Sequence, residues 1–110
     1  MKHIKEYKWH KILNNNRPEK GDYVICQEDG KLDEFLSLNI GQVKYIDSYD
    51  KIDTLYTVGY DKISYEVRSY FSKRIEYNQY LRNMLIEEIK YWSKNKEDLE
   101  VILQANKYNL

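Results

Sequence analysis

Three short β-type runs crowded into residues 21–60 constrain this chain most. They read Gly21-Asp22-Tyr23-Val24-Ile25-Cys26, Ile40-Gly41-Gln42-Val43-Lys44-Tyr45-Ile46-Asp47 and Tyr56-Thr57-Val58-Gly59-Tyr60. Each is rich in β-branched and aromatic residues and is bounded by Gly or Asp, which mark strand ends. That spacing is the pattern of a small antiparallel barrel, an architecture that usually serves as a binding platform.

The first strand is expected over Asp22–Gln27, with Val24 and Cys26 on one face and Tyr23 and Ile25 on the other. Both faces are apolar, so the N-terminal arm or a C-terminal helix must cover Tyr23 and Ile25. Glu28-Asp29-Gly30-Lys31 reads as a turn with Gly30 left-handed. Leu32–Leu38 reads as an excursion with Phe35 and Leu36 tucked inward. A second strand spans Ile40–Tyr49, where Gly41 marks a bulge or a close backbone approach. The polar stretch Asp47–Asp53 is a hairpin loop. A third strand, Leu55–Tyr60, puts Tyr56, Val58 and Tyr60 on one face. Ile63–Phe71 then alternates as a fourth strand would, with Ile63, Tyr65 and Val67 together.

The period changes in the last third. Tyr77, Tyr80, Leu81, Met84, Leu85, Glu88, Tyr91 and Trp92 recur three and four apart, which predicts an amphipathic helix over Glu76–Trp92. Asn95 reads as the N-cap of a second helix, with Glu97 and Asp98 in its first turn and Leu99, Ile102 and Leu103 inward. Residues 1–19 form an arm ending in the breaker Asn14-Asn15-Asn16-Arg17-Pro18. The expected organisation is one α+β domain over residues 1–110: the arm, a small barrel at 20–72 and helices at 76–106.

Composition narrows the chemistry. Eighteen basic residues balance eighteen acidic ones, but unevenly. Residues 1–20 carry six basic and two acidic, residues 21–61 three and nine, and residues 62–110 nine and seven. An acidic barrel is a poor grip for a phosphate backbone, which is held by Lys and Arg. The single cysteine, Cys26, sits in a strand pattern and reads as a buried apolar thiol. The two histidines, His3 and His10, lie in the arm without partners for zinc or for a catalytic dyad. The four glycines are isolated, so no phosphate loop is present. Asp47, Asp50 and Asp53 lack the spacing of a calcium loop. The expectation is a non-enzymatic protein without cofactor or metal. No apolar run reaches the roughly 20 residues that span a bilayer, and Met1-Lys2-His3-Ile4-Lys5-Glu6 is not followed by an apolar stretch. A cytoplasmic location is expected.

At Gly21-Asp22-Tyr23-Val24, Ile40-Gly41-Gln42-Val43 and Tyr56-Thr57-Val58-Gly59-Tyr60 the chain resembles the broad SH3-like small-barrel class. The tail from Ile86 to Glu100 looks like the ends of small uncharacterised proteins from phages and mobile elements of AT-rich Gram-positive bacteria. The resemblance implies an accessory protein that inhibits or adapts a host protein, including a defence system, in the host cytoplasm.

Two surfaces follow as candidates. In the first, Glu34, Asp47, Asp50 and Asp53 steer a basic host protein, and Tyr49 and Tyr60 supply contact area. In the alternative, Arg68-Ser69-Tyr70-Phe71-Ser72-Lys73-Arg74 binds nucleic acid through Arg68, Tyr70, Lys73 and Arg74, by stacking beside positive charge. The wide apolar stripe of the expected 76–92 helix also suggests a homodimer through that helix.

Overall fold

A computed structural model describes residues 17–48, 54–74, 76 and 78–108. β1 (Tyr23–Cys26) leads into α1 (Gly30–Ser37), β2 (Gly41–Ser48) and β3 (Thr54–Tyr60). A 3₁₀ helix (Tyr65–Tyr70) and β4 (Ser72–Arg74) precede β5 (Gln79–Met84). A 3₁₀ turn (Ile86–Glu88), β6 (Ile89–Ser93) and α2 (Lys96–Tyr108) follow. The strands form one six-stranded antiparallel sheet in the order β4-β5-β3-β2-β1-β6. The fold is therefore α+β, with a C-terminal helix packed on the sheet. The expected barrel over residues 20–72 is not seen. The sheet is open, edged by β4 and β6, and draws two of its strands from the segment expected to be helical.

Alternation along the strands builds two cores. Val24, Cys26, Val43, Tyr56, Val58, Tyr60 and Met84 face inward and meet Leu32 and Leu36 of α1. On the other side of β1, Ile25 packs on Leu99 and Ile102 of α2, flanked by Tyr23, Tyr91 and Leu103. This is the cover that two apolar faces on β1 demanded. Burying one such aliphatic side chain contributes about 1.5–3 kcal/mol. Asn106 Nδ2 donates to the Ser37 carbonyl at 2.7 Å and ties the end of α2 to the end of α1.

Three local expectations are corrected. The excursion expected at Leu32–Leu38 lies within helix Gly30–Ser37 up to Ser37, because Leu32 and Leu36 stand four apart on its buried face, and Phe35 and Leu36 do tuck inward. Gly30, with φ of +68°, turns the chain into it, and Asp33 Oδ1 accepts the Glu28 N–H at 2.9 Å. Within Ile63–Phe71 the chain forms the 3₁₀ helix Tyr65–Tyr70, not a strand. Val67 is buried while Tyr65 is 85% exposed, so the two do not share a face. The helix expected over Glu76–Trp92 is replaced by β5, the 3₁₀ turn and β6, so the homodimer expectation loses the helix on which it rested.

The α2 helix forms where expected. Asn95 holds the N-cap position, its carbonyl accepting the Asp98 N–H at 3.2 Å, and Ser93 braces this first turn. Ser93 Oγ accepts the Asn95 N–H at 3.1 Å and donates to Asp98 Oδ2.

Candidate functional site

A groove of about 420 Å³ brings together several of the expected site residues. Tyr45 and Asp47 reach it from β2, Thr57 from β3, and Leu81, Arg82 and Asn83 from β5. Ser72 and Arg74 of β4, with Tyr70 just before it, close the remaining side. Register explains the grouping. Tyr45 pairs with Thr57, Thr57 with Asn83, and Leu81 with Ser72, so these residues follow one face across four strands.

Arg82 organises one wall. Its Nη1 donates to the Tyr70 carbonyl at 3.2 Å, and its guanidinium carbon lies 5.8 Å from the Tyr70 ring centroid. Its Nη2 is 3.9 Å from Glu28 Oε2. Cation–π contact and the carbonyl bond together hold Tyr70 in place. The floor is set by Thr57 Oγ1, which donates to Asn83 Oδ1 at 2.9 Å. That bond leaves the Asn83 amide hydrogens as donors.

The expected residues divide. Asp47, Tyr70 and Arg74 come together in the groove. Arg68 is exposed on the 3₁₀ helix, outside the groove lining. Lys73 turns the other way, its Nζ 5.1 Å from the Tyr80 ring centroid. Glu34 is exposed on α1, away from the groove. Tyr49, Asp50 and Asp53 lie outside the described residues.

Tyr60 is corrected. It is 2% exposed and belongs to the core, stacked edge-on against Phe35 and Phe71 with centroids 5.4 and 5.5 Å away. Burial holds its phenol well above the ordinary tyrosine range, and the neighbouring Cys26 thiol adds to the rise. Burial likewise pushes the Cys26 thiol up to about 12. Cys26 is thus the buried thiol expected, and a protonated one at neutral pH.

Sequence reasoning missed Tyr45, Thr57, Ser72, Leu81, Arg82 and Asn83. Tyr45, Thr57 and Ser72 carry no local signal. Leu81, Arg82 and Asn83 were hidden inside the expected helix.

A second cleft of about 360 Å³ lies between the α1–β2 connection, Asp61 and Lys62 after β3, and Lys96, Glu100 and Leu103 of α2. Among the described residues no group of three His, Cys, Asp or Glu side chains could hold a metal ion. No helix among them is long and apolar enough to cross a membrane. Comparison with protein-family models, with curated proteins and with solved structures finds no match.

Proposed function

We propose that this chain is a non-catalytic protein-binding module, with the groove beside Tyr70 as part of its contact face. One observation carries the reading. Tyr45, Tyr70, Arg74 and Arg82 converge at a single groove on a hydrogen-bonded sheet. Tyr and Arg are the side chains that interfaces concentrate, because each offers contact area together with a polar tip.

In this reading the protein acts by occluding a surface of its partner. The resemblance of its tail supports a phage or mobile-element accessory role in a host cytoplasm, inhibiting or adapting a host protein. An SH3-like sheet belongs to the same reading. Its support is the strand order, in which β1 pairs with both β2 and β6 and joins the β2-β3-β5 run to the last strand.

Nucleic acid is the second reading, favoured by Tyr70 and Arg74 sharing the groove. Asp47 in the same groove and the diversion of Lys73 to Tyr80 weigh against it.

The test is an affinity pull-down of tagged protein from bacterial lysate, with and without nuclease, repeated with the Tyr70→Ala/Arg74→Glu variant. One stoichiometric protein that survives nuclease and is lost with the variant is the expected result. Loss of all partners on nuclease treatment, or a partner indifferent to the variant, overturns the reading.

A further inference from the structure

Resting on the protein-binding reading, we propose that the groove takes an extended peptide segment of mixed charge. An acidic side chain of that segment meets Arg74, and a basic one meets Asp47.

Some of the groove's charges are already committed. Arg82 is occupied by the Tyr70 carbonyl, the Tyr70 ring and Glu28. Arg74 and Asp47 are both exposed, and among the described residues neither has an ion-pair partner. They stand on opposite walls, on β4 and β2, with β5 and β3 between them. Three strand spacings of about 4.8 Å separate the walls across the sheet. The register places Arg74 level with Gln79 and Asp47 level with Leu55, about six residues further along the strands. The two positions are therefore about 24 Å apart on the diagonal, the reach of about seven extended residues.

A ligand of one charge sign leaves one wall unsatisfied. A phosphate backbone placed on Arg74 would bring negative charge toward Asp47. A purely basic segment drawn to Asp47 would bring positive charge toward Arg74. A segment with both signs pairs with both walls, and like-charge juxtaposition then rejects wrong registers.

The floor fits a polypeptide. The Asn83 amide is a donor for a backbone carbonyl, and the Ser72 hydroxyl can donate or accept. Tyr70, 49% exposed and held by Arg82, offers a fixed aromatic surface for an apolar side chain between the two charges.

The probe is a random-peptide display library selected against the full chain. Enriched peptides are expected to carry one acidic and one basic residue, separated by about seven positions given the strand spacing and register. Arg74→Glu should weaken a selected peptide by about tenfold or more, and reselection on that variant should replace the acidic residue with a basic one. Asp47→Lys should produce the reciprocal change. Both positions are exposed, and an unchanged Tm confirms that each variant folds.

Enriched peptides whose charges ignore both reversals overturn the proposal. So does a failure to enrich any peptide while a pulled-down protein still depends on Arg74, and in that case the protein-binding reading stands. Salt-steep binding of a labelled oligothymidylate that Arg74→Glu abolishes overturns both.

Discussion

Gly41 lies directly against the ring of Tyr60. A Cβ added to Gly41 would stand 2.7 Å from Tyr60 Cζ and 2.5 Å from Val58 Cγ1. Both neighbours are fixed in the main core, so neither can retreat cheaply. Gly41→Ala should therefore destabilise the fold by about 1–3 kcal/mol through overpacking, read as a lower urea midpoint. Gly59→Ala should cost less. Its closest clash is with the Gln79 Oε1 atom at 2.5 Å, the far end of a flexible side chain. Equal losses at the two positions would contradict this account.

The buried Cys26 and Tyr60 make the fold sensitive to alkali. Both groups have folded-state values raised above their unfolded ones, Cys26 to about 12. The neutral forms belong to the folded state, so their contribution is complete below the unfolded thiol value of about 8.5. It is lost as pH rises from there toward the folded values. Thermal melts should show a falling Tm above about pH 9 that Cys26→Ala reduces. In the native protein at pH 8, Cys26 should react with a thiol reagent far more slowly than in urea.

The buried Ser93 hydroxyl ties the end of β6 to the first turn of α2 through the Asn95 N–H and the Asp98 carboxylate. Ser93→Ala should cost about 1–3 kcal/mol by leaving those groups without their partner. Because α2 covers Ile25, amide exchange should speed up in both α2 and β1. Acceleration confined to the first turn of α2 would show that this tie does not control docking.

Glu19 and Asp22 close a turn reciprocally. The Glu19 N–H donates to Asp22 Oδ2 at 2.8 Å, and the Asp22 N–H donates to the Glu19 carbonyl at 2.9 Å. Lys94 reaches both carboxylates, at 2.7 and 3.4 Å. The hydrogen bond from Lys94 lowers Glu19 and the same bond raises Lys94. Lys94 and Glu19 are exposed, so Lys94→Ala should have a small effect that vanishes in high salt. Asp22 is buried. Asp22→Ala should cost about 1–3 kcal/mol by leaving the Glu19 N–H unpaired. Chemical denaturation of the two variants at low and high salt separates these cases.

Tyr70 and Arg74 are exposed, so their replacement should leave stability within about 0.5 kcal/mol of wild type. Any loss of partner binding in those variants then reports the surface itself. A Tm drop comparable to that of Gly41→Ala would instead make Tyr70 a structural residue.

The sequence by itself determined the strands whose two-residue period is unambiguous. Val24 and Cys26 against Tyr23 and Ile25, and the row Tyr56, Val58 and Tyr60, face as their alternation dictates. The α2 helix was equally legible, since Leu99 and Ile102 lie on one helical face. Tertiary structure decided the segment from Gln79 to Ser93. Tyr80 and Met84 are four apart, and residues four apart share a face in a helix and in a strand alike. Only the residue between them distinguishes the two, and that residue is Arg82, a charge on an otherwise apolar row. Its partners, Glu28 and the Tyr70 carbonyl, lie far away in sequence. Pairing of β5 with β3, and of β6 with β1, supplied the backbone hydrogen bonds that a local helix would otherwise have made. The groove was illegible for the same reason. Asp47 lines one groove with Tyr70 and Arg74 only because β5 enters the sheet beside β3 and brings β4 with it.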